Sequence, residues 1–313
     1  MDTKSDSEEF ILSNANIFKS DRLRNVLALV LCVVIIVAVL VSQVQGVLRA
    51  KSIYEHEESY FILFTTLSNI FALLCNLVML SYAIDGLRKK RFKLPKWVVL
   101  VYFSGTLCLF ITMLVTLIFI LPVRGAVAVT GVLFWQHIFI PVCSLLMFVF
   151  TCNERMLKLN EMILTTIPYF IYSILYGVLV KLVGAENGGW YDEYQLFSRF
   201  NWYVVVLFCA LVGFLTAGIL LLIHNVSTQI RYKNLINCIN KSLEGKDKES
   251  IETEVFEHGI SQQFRSDRFD ITIPIDELKL ISEKSDDYSL EQLAEIYVKG
   301  AMKEFIEGKD REQ

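Results

Sequence analysis

The stretch VLALVLCVVIIVAVLVSQVQGVL, residues 26–48, decides the fold class, because it carries no charged side chain over the length of a membrane-spanning helix. An α-helix of about 20 apolar residues crosses the ~30 Å hydrocarbon core of a bilayer. Similar apolar runs recur at residues 60–84, 97–121, 131–152, 161–183 and 202–224. The repetition predicts an all-α polytopic membrane protein whose six transmembrane helices lie within residues 26–224.

The composition agrees with this class. Of the 313 residues, 54% are hydrophobic and the mean hydropathy is +0.48, while the charges concentrate at the two ends of the chain. A polar segment, residues 1–25, precedes the first run and no small-residue cleavage site follows that run, so we do not expect a cleaved signal peptide. The seven cysteines show no CxxC or Cys/His spacing, and the sequence predicts no disulfide, no metal site and no cofactor.

Lysine and arginine mark one side of the membrane. They precede the first run, fill the segment LRKKRFKLPK at residues 87–96, and follow the sixth run at Arg231 and Lys233, whereas the opposite loops contain fewer. Positive charge is retained on the cytosolic side, so both termini are expected in the cytosol. The second, fourth and sixth helices then run from outside to inside.

The stretch FTTLSNIF, residues 64–71, places polar side chains inside the second run. Thr65, Asn69 and Asn76 follow helical spacing on one face, with Ser68 beside them, while Thr66 points about 100° away. An amide in hydrocarbon needs hydrogen-bond partners, so this face is expected to look into the bundle. The same residues also fit a simple packing motif, because small polar side chains join membrane helices, and both interpretations stay open.

The fourth run, GVLFWQHIFIPVCSLL at residues 131–146, contains the histidine that we place well inside a span. His137 shares a face with Pro141 and Ser144. Pro141 has no N–H, so the carbonyl of His137 loses its helical partner and a kink is expected. Thr65 and His137 each lie roughly 7–9 Å below the outer edge of their spans, and they can meet if the two helices are neighbours.

Other spans are expected to direct polar or small residues inward. In the fifth span these are Thr165, Tyr169, Tyr172, Ser173 and Tyr176. In the third span they are Gly105, Thr112 and Thr116. In the sixth span we expect close packing at Gly213, Thr216 and Gly218.

Two of these stretches resemble known motifs. YFILFTTLSNIF, residues 60–71, and QHIFIPVCSLLMF, residues 136–148, resemble the YFTxLSN and HxxxP motifs of bacterial six-span membrane proteins. Those proteins are similar in turn to the androgen-induced/androgen-dependent TFPI-regulating family of membrane hydrolases. The resemblance covers roughly residues 20–225 and implies a multi-pass protein of the bacterial plasma membrane.

The resemblance also implies a chemistry. The family cleaves fatty-acid esters of hydroxy fatty acids with an intramembrane threonine nucleophile and a histidine, which by motif position are Thr65 and His137. A neutral imidazole can take the proton of a threonine hydroxyl, and Asn69 could orient it or stabilise an oxyanion. Ser68 and Asn76 are the remaining supporting polar residues, and a membrane lipid or lipid ester is the expected substrate.

Carboxylates are absent from the inward faces that we identify. Five lie at the expected outer rim, and we interpret them as solvated loop charges: Glu55, Glu57, Glu58, Asp192 and Glu193.

The composition changes after the last span. Residues 225–265 are expected to form a cytosolic linker, and residues 266–308 a strand–helix–helix module that resembles ribbon-helix-helix repressors. Apolar residues alternate along the predicted strand at Phe269, Ile271, Ile273 and Ile275. Its other face carries Arg268, Asp270 and Thr272. With one basic residue there, a homodimer or a protein partner is favoured over nucleic acid.

Two further functions compete with the hydrolase. The same polar faces could line the path of a transporter, channel or sensor, or the membrane domain could anchor an interaction tail. Transporters are typically built from repeats and carry charged groups at mid-membrane. We find no internal repeat and almost no mid-span charge, which counts against ion coupling.

Overall fold

The computed structural model describes residues 17–50, 57–88, 92–153 and 155–243, with side chains described for 23–50, 60–88, 92–153 and 155–231. Within these ranges the chain forms helices and turns and no β-strand. The predicted strand–helix–helix module at residues 266–308 lies outside the described residues.

Eight α-helices in the described ranges carry the fold. They are α1 (Ile17–Leu48), α2 (Phe64–Arg88), α3 (Lys96–Val115), α4 (Val132–Thr151), α5 (Leu159–Thr165), α6 (Ile167–Gly177), α7 (Leu196–Arg199) and α8 (Trp202–Leu243). A 3-10 helix, Glu57–Ile62, leads into α2. The helix that starts as α3 continues through a π-helical turn, Thr116–Ile120, and the short helices Leu121–Arg124 and Gly125–Val129.

Five segments are long and apolar enough to cross a membrane. They are Leu23–Leu48, Phe64–Arg88, Lys96–Val129, Val132–Thr151 and Trp202–Arg231. A sixth crossing is formed if α5 and the helix Ile167–Val183 act as one bent span. The prediction of an all-helical, multi-pass membrane protein is confirmed, and the six segments coincide with the six apolar runs.

The bend between α5 and α6 was not expected from the apolar pattern. The two helices meet at an angle of 40° around Thr166, just before Pro168. Proline lacks an N–H and leaves carbonyls of the preceding turn without helical partners. For Pro168 the carbonyl four residues earlier is that of Leu164. At the end of α5, Thr165 Oγ1 donates to the Met162 carbonyl and Thr166 Oγ1 to the Ile163 carbonyl, each at 2.7 Å. The two threonines of TTIP therefore bond carbonyls of the last turn before the bend.

The four helices α1 to α4 form the centre of the bundle. Helix α1 packs against α2 and α4, and α3 packs against α2 and α4, so the four close into a ring. Helices α5, α6 and α8 cover the side of α3. Large buried side chains such as Ile35, Met79, Phe103 and Phe148 fill the interior, while valines and leucines remain exposed on the outward faces. Such an apolar exterior suits a lipid environment.

Glycines allow close approach at two of the three positions that we selected from the sequence. A Cβ on Gly105 would lie 2.8 Å from Cys75 Sγ on α2, and a Cβ on Gly213 would lie 2.6 Å from Tyr169 Cε1 on α6. A Cβ on Gly218 would meet nothing within 4 Å, so the expectation of close packing at Gly218 is wrong.

The loop between α4 and α5 is tied to α8 by polar contacts. The Asn225 side chain both accepts from the N–H of Leu157 at 2.9 Å and donates to its carbonyl at 3.0 Å. His224 Nε2 lies 3.0 Å from the Arg155 carbonyl and stacks on Phe148. His224 is fully buried and lies within the last membrane-length segment, Trp202–Arg231. We call this end of the bundle the His224 end.

Gly105→Val is expected to lower the stability of the bundle, because the added side chain overlaps Cys75. Overpacking of this kind costs about 1–3 kcal/mol, which corresponds to roughly 2–12 °C in the midpoint of thermal unfolding. The matched control is Gly218→Val, which adds the same atoms into open space. Thermal unfolding of both purified variants in one detergent checks the packing, and equal midpoints would contradict it.

Candidate functional site

Hydrogen bonds define the opposite end of the bundle, which we call the His137 end. Gln136 Nε2 on α4 lies 3.4 Å from the Ser42 carbonyl near the end of α1. Ser68 Oγ near the start of α2 lies 3.1 Å from Thr112 Oγ1 on α3. Asn69 Nδ2 on α2 lies 3.4 Å from the Gln136 carbonyl. The C-terminal ends of α1 and α3 and the N-terminal ends of α2 and α4 therefore lie at the same end of the bundle.

Two polar layers cross the ring of α1 to α4. The middle polar layer consists of Asn76, Tyr102, Thr106 and Ser144. The terminal polar layer, nearer the His137 end, consists of Ser42, Gln43, Tyr60, Thr66, Asn69, Thr116, Gln136 and His137. All of these side chains are buried except Gln43, which is half-buried.

The middle polar layer satisfies itself. Asn76 Nδ2 donates to the Ala72 carbonyl at 2.8 Å, and the Tyr102 hydroxyl donates to Asn76 Oδ1 at 3.4 Å. Ser144 Oγ donates to the Tyr102 hydroxyl at 3.5 Å and lies 3.0 Å from Thr106 Oγ1. Asn76, predicted as a supporting site residue, thus joins helices in a layer of its own. Such a closed polar network is the ordinary way in which membrane helices are held together.

The terminal polar layer is linked through Tyr60 and Gln136. The Tyr60 hydroxyl donates to Gln43 Oε1 at 2.7 Å and accepts from Gln136 Nε2 at 3.0 Å. A Cβ on Gly46 would lie 2.1 Å from the Tyr60 oxygen, so glycine is required for this ring to reach α1. Sequence reasoning missed Tyr60, Gln43 and Gln136. A glutamine directly before His137 in an apolar run was the signal that could have found the last of them.

The network also assigns the orientation of two buried amides. Asn69 Nδ2 faces the Thr65 carbonyl at 2.7 Å and the Gln136 carbonyl at 3.4 Å, and both of these oxygens only accept. Gln136 Nε2 faces the Ser42 carbonyl and the Tyr60 hydroxyl. The nitrogens must therefore point at these partners, which leaves the amide oxygens of Asn69 and Gln136 directed elsewhere.

Two buried amide oxygens of this layer have no hydrogen-bond partner among the described residues: Asn69 Oδ1 and Gln136 Oε1. The Thr116 hydroxyl, one helical turn beyond Thr112, also bonds no described residue, whereas the Thr66 hydroxyl interacts with Tyr60. Their residues are at most 1% exposed. Leaving such a group unsatisfied costs about 1–3 kcal/mol, and clusters of them in native proteins call for an explanation. The contrast with the satisfied middle polar layer makes the terminal polar layer the candidate functional site.

His137 is held by a single backbone contact. Its Nδ1 lies 2.9 Å from the Ala128 carbonyl in the segment before α4, and the residue is 6% exposed. A carbonyl only accepts, so Nδ1 carries the proton in the neutral ring and Nε2 keeps a lone pair. No described residue hydrogen-bonds Nε2. That is the tautomer that a general base requires.

The backbone of α4 is irregular at this histidine. Residues Trp135–Phe139 form a π-helical turn, in which the N–H of Ile140 bonds to the carbonyl of Trp135 five residues earlier. Pro141, expected to disturb the helix here, follows directly and lies in the first turn of the α-helix Ile140–Thr151. Single π-helical turns are common at functional sites. The wider turn includes both Gln136 and His137.

Thr65 lies at the edge of the terminal polar layer. It is half-buried, and its hydroxyl hydrogen-bonds no other described residue. Its carbonyl accepts from Ser68 Oγ at 3.0 Å and from Asn69 Nδ2 at 2.7 Å. Because Asn69 also reaches the Gln136 carbonyl, one amide joins the helical turn of Thr65 to the residue before His137. No hydrogen bond connects Thr65 with His137 directly.

The expectation that Thr66 points away from the inward face is wrong, because Thr66 is only 1% exposed. Thr66 is three residues from Asn69, a spacing that also puts two side chains on one face. The buried face of the start of α2 therefore includes Thr66, Ser68 and Asn69, while Leu67 remains exposed. The tyrosine-rich stripe of the fifth span is largely inward, with Thr165, Tyr169 and Tyr176 buried.

The segment between α6 and α8 closes over the start of α2. The Tyr194 hydroxyl accepts from the N–H of Phe64 at 2.9 Å, and the Tyr172 hydroxyl donates to the Ile62 carbonyl at 3.0 Å. Burial raises the pKa of Tyr194 to about 12, so its hydroxyl stays protonated at neutral pH. Tyr172 and Tyr194 therefore hold the backbone at Ile62 and Phe64, and Phe64 directly precedes Thr65.

The rim carboxylate Asp192 is not the solvated charge that we expected. It is half-buried, and it accepts from the N–H groups of Leu196, Phe197 and Ser198 at 2.9–3.1 Å and from the Tyr176 hydroxyl at 3.0 Å. Asp192 thus caps α7 and ties it to α6. Glu193 is also half-buried, and its Oε1 is enclosed without a partner among the described residues.

The geometry defines a class of protein: a multi-pass helical membrane protein with a histidine-containing polar layer near one end of its bundle. The described residues contain no group of three or more His, Cys, Asp or Glu side chains placed to hold a metal ion. No protein-family model, curated protein or solved structure matches the chain. The fold and the side-chain geometry therefore carry the functional argument.

Thr112, near the end of α3, and Thr116, at the start of the following π-helical turn, lie one helical turn apart. The Thr112 hydroxyl is hydrogen-bonded, whereas the Thr116 hydroxyl bonds no described residue. Thr112→Val removes the bonds to Ser68 and to the Cys108 carbonyl, and it is expected to lower the free energy of unfolding by about 1 kcal/mol. Thr116→Val removes a hydroxyl that bonds no described residue, and it is expected to leave stability unchanged or higher. Thermal unfolding of both variants measures the difference. A greater loss for Thr116→Val would contradict the assignment.

Proposed function

We propose that this protein is an intramembrane hydrolase of lipid esters, with Thr65 as the nucleophile and His137 as the general base. The observation that carries the proposal is the His137 ring, which is buried, fixed through Nδ1 to the Ala128 carbonyl, and left with an Nε2 that no described residue hydrogen-bonds. The preceding residue, Gln136, accepts from Asn69 through its carbonyl. A buried imidazole in that tautomer is suited to take a proton from a hydroxyl.

The reaction follows ordinary acyl transfer. His137 Nε2 takes the proton of Thr65 Oγ1 as that oxygen attacks the ester carbonyl, and the same proton is then given to the departing alkoxide. The product is an acyl-threonine ester and a free alcohol. Water, deprotonated by the same histidine, attacks this ester, releases the fatty acid and restores the Thr65 hydroxyl. Catalytic hydrogen bonds commonly tighten when substrate binds, so their absence in the free protein is compatible with these roles.

Asn69 supports the proposal as a positioning residue. Its amide N–H groups bind the Thr65 carbonyl and the Gln136 carbonyl, so it fixes the turn of the nucleophile against the turn of the base. Ser68 adds a second bond to the Thr65 carbonyl and links α2 to α3 through Thr112. The start of α2 is thereby attached to both α3 and α4.

A permeation path fits the geometry less well. Below the terminal polar layer, the middle polar layer closes the ring through mutual hydrogen bonds, and buried apolar side chains such as Met79, Leu107 and Met147 follow. A polar layer near one end of the bundle that is sealed on the inner side suits an enzyme or a receptor better than a channel. The proposal includes the orientation given by the basic residues, with the His137 end in the outer leaflet of a bacterial plasma membrane and both termini in the cytosol.

A fluorophosphonate probe tests the chemistry on the purified protein. Wild type is expected to be labelled, while Thr65→Ala and His137→Ala are expected to lose at least about 90% of the labelling, since both groups act in the same acyl-transfer step. Thr151→Ala is the matched control, because it removes a buried threonine hydroxyl at the His224 end and should retain labelling. Thr66→Ala is labelled in parallel, because Thr66 carries the neighbouring hydroxyl. Labelling that survives Thr65→Ala would overturn Thr65 as the nucleophile, and loss with Thr66→Ala alone would transfer that role to Thr66.

A further inference from the structure

We infer that Gln136 is a positioning residue for His137, because its buried hydrogen bonds hold the π-helical turn that orients the imidazole. Since His137 is the base of the proposed hydrolase, this role rests on the proposed function. It depends on an exception in the backbone hydrogen bonding of α4 and on the contacts that Gln136 makes with three other elements.

The backbone carbonyl of Gln136 lacks the donors that a helix would supply. In an α-helix its donor is the N–H of Ile140, but that N–H bonds to the Trp135 carbonyl within the π-helical turn. In a continued π-helix the donor would be residue 141, which is a proline without an N–H. The turn and the proline together therefore leave this carbonyl to a side chain.

Asn69 provides that side chain. Its Nδ2 lies 3.4 Å from the Gln136 carbonyl and 2.7 Å from the Thr65 carbonyl on its own helix, α2. A carbonyl without a partner is costly in hydrocarbon, so this contact from α2 offsets a cost that the π-helical turn creates. An α-helical turn at the same point would return the N–H of Ile140 to the Gln136 carbonyl and remove the need for Asn69.

The side chain of Gln136 attaches the same turn to two further elements. Its Nε2 donates to the Ser42 carbonyl near the end of α1 at 3.4 Å and to the Tyr60 hydroxyl before α2 at 3.0 Å. The Tyr60 hydroxyl uses its one proton on Gln43 Oε1 at 2.7 Å, so it can only accept from Gln136. The direction of each bond is therefore fixed, and neither a carboxylate nor an apolar side chain could replace this buried amide.

His137 follows Gln136 directly in this turn. Two consecutive residues share a planar peptide unit, so the bonds on the backbone and side chain of Gln136 restrict the direction of the Cα–Cβ bond of His137. The ring itself is held through Nδ1, which lies 2.9 Å from the Ala128 carbonyl. That contact keeps the proton on Nδ1 and the lone pair on Nε2. Displacement of the turn would move the ring away from Ala128 and release this tautomer.

Gln136→Met tests this role, because it keeps an unbranched side chain of similar length and removes both donated bonds together with the unbonded amide oxygen. Nitrogen NMR of the full-length protein with isotope-labelled histidines, in lipid bilayers, reports which ring nitrogen carries the proton, and His137→Ala assigns the signal. At alkaline pH, where free histidine is neutral, the wild type is expected to show Nδ1–H and Gln136→Met a mixture of both tautomers. The rate of fluorophosphonate labelling is expected to fall about tenfold or more.

Tyr60→Phe is a milder second variant, which removes one acceptor of Gln136 Nε2 and keeps the aromatic ring. It is expected to change the His137 signal in the same direction and by less. The matched control is Tyr102→Phe, which removes a buried tyrosine hydroxyl from the middle polar layer and should leave both the His137 signal and the labelling rate unchanged. An equal change with Tyr102→Phe would contradict the inference, because it would indicate a general loss of packing.

The outcome is separable from the proposed function. An unchanged His137 signal in Gln136→Met would overturn the positioning role whatever the rate of labelling, and so would a wild-type ring that is protonated on Nε2. If the wild type is not labelled by a fluorophosphonate, the hydrolase is excluded, while the His137 signal still decides whether Gln136 positions the ring.

Discussion

Every polar group in this bundle is subject to one constraint: hydrocarbon offers no hydrogen bonds, so a buried donor or acceptor must find its partner within the protein. At the bend near Thr166 two threonine hydroxyls bond carbonyls of the last turn of α5, and the middle polar layer meets the constraint with Asn76 and Tyr102. The terminal polar layer does not, since the amide oxygens of Asn69 and Gln136 bond no described residue. Asn25 Oδ1, Asn153 Oδ1 and His224 Nδ1 also lack a described partner, so the unbonded amide oxygens support a site at the His137 end only together with the unbonded Nε2 of His137.

The architecture explains how polar side chains from distant parts of the sequence gather at the His137 end. Helices α1 and α3 end at the level where α2 and α4 begin. These ends bring together polar residues from segments that are far apart in the chain. Tyr194 and Tyr172 hold the start of α2 from outside, while Asn69 holds it from inside. Thr65 lies between these contacts. Positioning a hydroxyl without bonding it is costly in stability, and proteins retain such costs where chemistry or binding requires them.

Much of the fold follows from the sequence, because apolar runs of membrane length admit only a helix. The face of α2 that carries Asn69 and Asn76 was also predictable, since amides avoid lipid. The error at Thr66 arose because only the i, i+4 spacing was taken for the buried face, although that face is wider and also includes Thr66, three residues before Asn69. The amide network escaped prediction for another reason. Tyr60 reaches Gln43 because Gly46 has no side chain that would block the tyrosine ring. Such a contact depends on the relative rotation of two helical segments.

The π-helical turn at Trp135–Phe139 determines which side chain α4 presents at the level of His137. A π-helical turn accommodates one residue more than an α-helical turn, so side chains before it are rotated by about 100° relative to those after Pro141. A regular α-helix without the extra residue would keep the side chains after Pro141 in the same orientation. It would present a neighbouring side chain where His137 now lies. The place of His137 relative to Pro141 therefore depends on the local helix type. A change from π-helical to α-helical hydrogen bonding at Trp135–Phe139 would turn the imidazole by about 100° around the helix axis.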